Sequence, residues 1–396
     1  MKRILIVHFN MELGGAESSL LGLLDTIDYS RYAVDLFLLD HSGELMPLIN
    51  DHVNLLQEIP SYKALTQPIS ANMRNGNIQT ALLRCYARAR SSLSSGALHL
   101  PHNYKQYYHK LCVPHLPSIP GEYDLAISFN DPHYIIGEKV TAKVKLAWFH
   151  TDASRIRFCD DIEKEMWGMS DYVVNVSENC KNAFDEAHPY LNESHSLMIE
   201  NILSKAFVVK RSVAFDPLTE VKHGDSLMLL SVGRFSDQKN FDNVPDICRR
   251  LVEDGLDVKW YLIGYGGDEA LIRRRIDEAG MQERVVILGK KDNPYPYMRA
   301  CDLYVQPSRY EGKAVTVREA QLLGKPVVIT SYATSASQLD DGVDGVIVPM
   351  DNAGCAAGIA ETLRDSERMR FLSENCKMRD YTNSAEVEKI YALMED

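Results

Sequence analysis

Short apolar runs recur along the whole chain, each followed by a polar turn and a helix-length segment. Examples are "RILIVHF", "YAVDLFLL", "YDLAISF", "KVKLAWF", "DYVVNVS", "LMLLSVG", "VKWYLIG", "RVVILGK", "LYVQPS", "PVVIT" and "GVIVP". Nearly continuous Val, Ile and Leu over so few residues marks strands buried on both faces, as in parallel sheets. Regular alternation with helices makes the fold class α/β, built of βαβ units.

One arrangement occurs twice. "ILIVHFNMELGGAESSLLGLL" predicts a strand, a loop with Gly14 and Gly15, and a helix; "LMLLSVGRFSDQKNFDNVPDICRRL" repeats that order from about residue 227. Between them, 203–226 is poorly periodic and polar toward its end. The pattern predicts two doubly wound domains, 1–203 and 225–380, joined by a linker at 204–224, with a closing helix in 381–396. Ligands of open α/β sheets bind at the carboxyl ends of the strands, so two such domains facing each other would form a central cleft.

Composition narrows the class. Of 396 residues, 45% are hydrophobic and 25% charged, enough for real cores, and the net charge of −12 argues against general nucleic-acid binding. The first apolar run ends at His8 and Asn10, too short for a signal peptide, and no run approaches the ~18 residues of a membrane span. The eight cysteines have no CxxC pair or metal spacing and are expected to be reduced, mostly buried thiols of a cytoplasmic protein.

Two carboxylates stand out in "EGKAVTVREAQLLGKPVVIT". A helix is predicted from about Ala314 to Leu323, capped by Gly324 and stopped by Pro326. At about 100° per residue Glu319 falls between Val315 and Leu323 on a helix apolar nearly all round. A buried carboxylate without partners costs several kcal/mol, so Glu319 needs donors, which ligand hydroxyls could supply. Glu311 precedes the helix N-terminus, where ligand groups gather. Helix geometry alone fits equally a solvated Glu319 and a Glu311 that complements the helix dipole.

The stretch "PSRYEGKAVTVREAQLLGKPVVIT" resembles the E-x7-E signature of the family-4 glycosyltransferases of GT-B fold. Four further features occur in that family's order: "GGAE" (14–17), "IEN" (199–201), "SVGRFSDQKN" (231–240) and "YLIGYGGDEALI" (261–272). The resemblance implies that the first domain takes the acceptor and the second a nucleotide-sugar donor. Glu319 would then hold the ribose hydroxyls and Glu311 the donor sugar. Arg234 and Lys239 would hold the diphosphate, the former as a planar fork, the latter as a point charge. Lys290 is a third candidate cation. Gly312, Lys313, Ala314 and Val315 complete the expected donor-binding set, with Gly14 and Gly15, which let backbone approach the donor or simply make a tight turn. His150, at the carboxyl end of "KVKLAWF", resembles the family histidine near the donor sugar. Asp131 and Asp152, also near strand ends, are candidate acceptor contacts. Expected catalytic residues are Glu311, His150, Arg234 and Lys239.

The chain contains no D-x-D, the usual carboxylate pair for a donor-bound divalent metal, so no metal or other cofactor is expected. Family members retain the anomeric configuration. Departures from the commoner pattern, Lys313 and Ala314 within "EGKAV" and the loop "TSYATSASQLDDGVDG" (330–345), resemble enzymes of bacterial surface-polysaccharide assembly. The expectation is a cytoplasmic transferase moving a sugar, from a UDP-sugar rather than a GDP-sugar, to a polyprenyl-linked glycan. Rival readings are a nucleotide-sugar epimerase and a non-catalytic subunit activating a partner transferase.

Residues 59–121 carry seven of the 43 basic residues and no acid, leaving the remainder at net −19. There Ile78, Leu82, Cys85, Tyr86, Ala89 and Leu93 form one helical stripe, with Arg84 and Arg88 opposite and Tyr104, Tyr107 and Tyr108 following. Such a segment fits either an anionic membrane surface, making the protein peripheral on the inner face of the cell membrane, or a helix packed on its own domain with a solvated arginine face.

Overall fold

The computed structural model describes residues 1–94, 101–151, 153–155, 160–192, 195–221 and 224–395. The chain divides into two units, residues 1–202 with 384–396, and 203–383. Each is a doubly wound parallel sheet, the architecture that the apolar runs predict.

The first unit holds β1 (Lys2–His8), β2 (Tyr32–Leu38), β3 (Asn54–Leu55), β4 (Glu122–Ser128), β5 (Thr141–Phe149), β6 (Tyr172–Asn175) and β7 (Ser196–Met198), in the order β3-β2-β1-β4-β5-β6-β7. The second holds β8 (Leu227–Val232), β9 (Val258–Ile263), β10 (Val285–Gly289), β11 (Leu303–Gln306), β12 (Val327–Thr330) and β13 (Val346–Val348), ordered β10-β9-β8-β11-β12-β13. All these pairings are parallel; β1 runs in register with β2 from Lys2 opposite Tyr32 to His8 opposite Leu38. Ile4, Leu5, Ile6 and Val7 are fully buried, because helices cover both faces of the strand that this run forms. In each unit the strand order reverses beside the first strand, between β1 and β4 and between β8 and β11. A crevice opens there at the carboxyl ends.

Two boundaries differ from expectation. Residues 204–224 are not a free linker. They contain the helix Lys205–Ser212, capped by Ser204, and Phe207 sets its ring edge-on to Tyr295 at 5.8 Å within the second unit. The polarity of that stretch belongs to its outer face, while Val208 and Val221 are buried. The closing helix is short, Val387–Ala392, and packs on the first unit. Tyr391 stacks on Tyr32 at 4.2 Å, and its hydroxyl accepts from the Asp28 amide at 2.8 Å. "IEN" anchors this return: the Glu200 amide donates to Glu386, and Asn201 accepts from Ser19. Among the described cysteines six are buried and Cys85 is exposed; Cys159 lies outside the described residues.

Tyr391→Ala should therefore destabilise the first unit by about 3 kcal/mol, in the range for emptying a buried aromatic site. Urea unfolding followed by Trp148 and Trp167 fluorescence measures this. A change within noise would contradict the attachment of 384–396 to that unit.

Candidate functional site

In the second unit the loops after β8 and β11 leave adjacent strands at the reversal of strand order. The first runs through Arg234 and Lys239 to the helix Val244–Glu253; the second runs through Glu311 to the helix Val315–Leu322. They are stitched together. The Arg309 guanidinium grips both oxygens of Asp242 at 3.0 and 2.9 Å, its amide donates to the Gln238 carbonyl, and the Asn240 side-chain amide donates to the Pro307 carbonyl. Gly264 and Gly266 back the first loop at φ of 154° and 155°. A Cβ on either would strike a carbonyl oxygen, that of Gly233 at 1.9 Å or Phe235 at 2.2 Å, so only glycine lets these backbones touch.

Glu311 sits in this crevice, 5% exposed. One oxygen accepts from Lys239 Nζ at 2.5 Å and Ser308 Oγ at 2.6 Å; the other accepts from Gln238 Nε2 at 3.2 Å. The carboxylate is thus buried without being orphaned. The structure brings Lys239 and Glu311 together as an ion pair, a contact their spacing did not announce. Arg234 is exposed and makes no hydrogen bond or ion pair with the described residues, leaving its five N–H donors for a ligand.

Glu319 is 3% exposed, so the solvated alternative fails. A donor is nonetheless supplied from within: the buried Tyr295 hydroxyl bonds Oε1 at 2.8 Å. Sequence reasoning missed Tyr295 because it arrives from a different helix, Tyr295–Ala300. Helix Val315–Leu322 falls within the predicted span, and Gly324 adopts the expected left-handed conformation, φ 71°.

The loop after β12 holds the Glu311 loop. Thr334 donates to the Glu311 carbonyl at 2.8 Å, and the Lys313 ammonium donates to the Ser337 carbonyl at 2.7 Å. Buried Gln338 accepts from the Ala314 amide at 2.7 Å and donates to the Ala314 carbonyl at 3.2 Å. Gly312 and Val315 are buried beside them. Lys290 is exposed, 4.9 Å over the Tyr265 ring.

The first unit gathers its own cluster where β1, β4 and β5 end. His150 shares a hydrogen bond of 2.8 Å with the Phe129 carbonyl, so its Nε2 carries the proton and Nδ1 is the acceptor. Burial lowers its pKa to about 4, against a smaller upward pull from that hydrogen bond, so the ring is neutral at pH 7. Sequence reading overlooked His8 and Glu17, although His8 ends β1 as His150 follows β5. His8 Nε2 lies 3.1 Å from Glu17. Burial pushes the Glu17 pKa up, but the hydrogen bond with His8 and the electrostatic pull of that contact outweigh it, leaving the carboxyl below its ordinary value. Gly14 is extended, φ −165°, and its service is room: a Cβ there would sit 2.2 Å from the Glu17 carboxylate. Gly15 begins the helix Gly15–Thr26.

Beside His150 a cavity of about 90 Å³ is lined by His109, Asp131, His133, Trp148, Glu163 and Trp167 among others. Asp131 lies 3.5 Å from His133, and Glu163 accepts from Gln106 and Trp167. Burial lowers His109 to about 4 and also depresses His133. Asp152 lies outside the described residues.

Residues 217–379 match the family of glycosyl transferases group 1. An uncharacterized glycosyltransferase of Methanocaldococcus jannaschii, MJ1178, is 27% identical over 235 residues, 57% of this chain and 61% of that protein. The N-acetylgalactosamine-N,N'-diacetylbacillosaminyl-diphospho-undecaprenol 4-alpha-N-acetylgalactosaminyltransferase of Campylobacter jejuni is 28% identical over 148 residues, 37% of this chain and 40% of that protein. These matches therefore span less than two thirds of either relative. Anabaena Alr3699/HepE, solved in complex with UDP and glucose, superposes over 100% of both chains with a TM-score of 0.71 at 17% identity, a likeness of fold.

His109, His133 and His150 have depressed pKa values when folded and ordinary ones near 6.5 when unfolded. Below about pH 6.5 the unfolded chain binds more protons, so their contribution is whole above that pH and is lost toward pH 4. The melting temperature of the first unit, read by Trp148 and Trp167 fluorescence, should fall over that window, less steeply in His109→Asn. A flat or rising profile would contradict the burial of these rings as neutral groups.

Residues 217–379 therefore resemble the glycosyl transferases group 1 family, on a chain of GT-B fold.

Proposed function

We propose that the chain is a glycosyltransferase of surface-polysaccharide assembly, moving a sugar from a UDP-sugar to a polyprenyl-linked glycan at the inner face of the cell membrane. The observation that carries this reading is the crevice at the β8–β11 reversal. Buried Glu311 is paired there with Lys239, on loops that also carry Arg234, and buried Glu319 lies on the helix that follows Glu311. A nucleotide-sugar has the complementary groups, hydroxyls for the carboxylates and a diphosphate for the cations. HepE, of the same fold, binds UDP, and the Campylobacter relative acts on a diphospho-undecaprenol-linked sugar.

In this reading Glu319, oriented by Tyr295, accepts from the ribose hydroxyls, and Glu311 accepts from a hydroxyl of the donor sugar. A diphosphate within reach of Lys239 competes with Glu311 for the ammonium, freeing that carboxylate for the sugar. The acceptor oxygen attacks the anomeric carbon on the face from which the diphosphate leaves. The bond from that carbon to the diphosphate oxygen breaks, and the acceptor proton passes to a phosphate oxygen, with retention of configuration. Arg234 and Lys239 stabilise the charge on the departing diphosphate, the role a metal takes elsewhere, so none is needed. Neutral His150 offers Nδ1 to a hydroxyl, and Asp131 and Asp152 contact the acceptor.

The test pairs binding with turnover. Arg234→Ala should weaken UDP by the ~1.5–3 kcal/mol of a charged hydrogen bond, and Glu319→Gln should weaken it too. Glu311→Gln should spare UDP affinity and cut transfer. With membrane-extracted acceptor, UDP release should require the acceptor and survive excess EDTA. Epimerised donor without acceptor, absence of UDP binding, or manganese-dependent turnover would overturn the corresponding part.

A further inference from the structure

Two deeply buried side chains of the first unit have polar atoms left over. His109, on the helix Pro101–Cys112, is 9% exposed and makes no hydrogen bond or ion pair with the described residues. Trp148, on β5, is 2% exposed, and its Nε1 is buried without a hydrogen-bond partner among them. Buried polar groups are normally paired, and one left alone keeps its full desolvation cost. Both residues line the cavity of about 90 Å³ beside His150. Other polar groups of that wall are engaged: His133 shares a hydrogen bond of 2.8 Å with Ser128, and the two Glu163 oxygens accept from Gln106 and Trp167.

These walls define the chemistry of an occupant. The indole N–H only donates, and the neutral His109 ring has one nitrogen that accepts and one that donates. Anions are disfavoured, because Glu163 and Asp131 are carboxylates and burial leaves His109, His133 and His150 without charge to offset them. A cation fares little better, with both Glu163 oxygens taken and Lys105 in the same wall. The rest is apolar: Phe149, Met166 and the Trp167 ring, which lies edge-on to Phe149 at 5.8 Å. Size narrows the choice. A cavity of about 150 Å³ accepts a benzene ring, so one of about 90 Å³ accepts a smaller group, though one larger than a hydroxyl.

We propose that this cavity takes the acetamido group of an N-acetylated sugar in the acceptor. Its carbonyl accepts from Trp148 Nε1, its N–H donates to the accepting nitrogen of His109, and its methyl lies against Met166 and Trp167. Such a group matches every wall: it accepts, it donates, it has an apolar end and it carries no charge. A hydroxyl would leave the apolar wall uncovered, and a free amine would leave Trp148 unpaired. His109 and Trp148 then decide which acceptor is used and take no part in the transfer itself. The inference deepens the proposed function and rests on it for the existence of an acceptor; the pocket itself is tested separately.

The full chain is titrated, by saturation-transfer NMR, with the methyl glycosides of N-acetylglucosamine and N-acetylgalactosamine, of the corresponding free amines, and of glucose and galactose. UDP is titrated in parallel. The acetyl methyl should receive the strongest saturation of any ligand proton. At least one N-acetylated glycoside should bind about tenfold or more tighter than its amine and hydroxyl counterparts, the worth of one to two hydrogen bonds. An N-butanoyl analogue should lose that advantage, because the cavity has no room for the longer chain. Trp148→Phe keeps a ring and removes the N–H, and His109→Leu keeps the bulk and removes the ring nitrogens. Each should lose most of the preference while UDP affinity stays at the wild-type value; if His109→Leu does not fold, Trp148→Phe and the size series carry the test. No preference for the acetamido group, or a preference that survives in the folded variants, overturns the pocket. Tighter binding of the free amines assigns the cavity to a cation and also overturns it. UDP binding without the acetamido preference leaves the proposed function standing, and the preference without UDP binding does the reverse.

Discussion

The crevice of the second unit is organised by the contact of Lys239 with Glu311. Two loops from adjacent strands would otherwise leave a mostly buried cation and a buried carboxylate unpaired, at a cost of several kcal/mol. Brought to 2.5 Å and supplemented by Ser308 and Gln238, they satisfy each other and tie the β8 and β11 loops together. A buried pair of this kind is not a strong source of stability. Its value is geometric: it fixes a carboxylate and an ammonium where the strand order reverses, the place where open α/β sheets bind their ligands. Arg234, outside the pair, remains available.

The supports of that crevice are backbone contacts as much as charges. Gly264 and Gly266 allow a third loop to touch the one bearing Arg234, and Gln338 occupies both the amide and the carbonyl of Ala314. The 330–345 loop thus keeps the Glu311 loop in place through Thr334, Ser337 and Gln338. The first unit uses another device. It keeps His109, His133 and His150 neutral by burial, so its cavity offers rings that can donate or accept a hydrogen bond without carrying charge at pH 7.

Both sheets, their parallel pairing and the buried Glu319 helix could be read from the sequence, because short apolar runs and helical periodicity are local signals. Contacts between distant segments could not. Tyr295 reaches Glu319 from a separate helix, and His8 meets Glu17 only once β1 turns into the Gly15–Thr26 helix. The stripe on Ile78–Ser94 was visible as periodicity, but its outward direction was decided by Arg84 bonding to Tyr104, which no spacing rule encodes. The 204–224 segment looked like a linker because its polar face hides the burial of Val208 and Val221.

The most direct test of this account is a double-mutant cycle on Lys239→Met and Glu311→Gln, followed by urea unfolding of the second unit through Trp260 fluorescence, without nucleotide. If the two side chains hold each other in the crevice, the single changes should be non-additive, with a coupling of about 1 kcal/mol or more, within the range for contacting groups. Additive losses, within error, would contradict the pairing on which the candidate site is built.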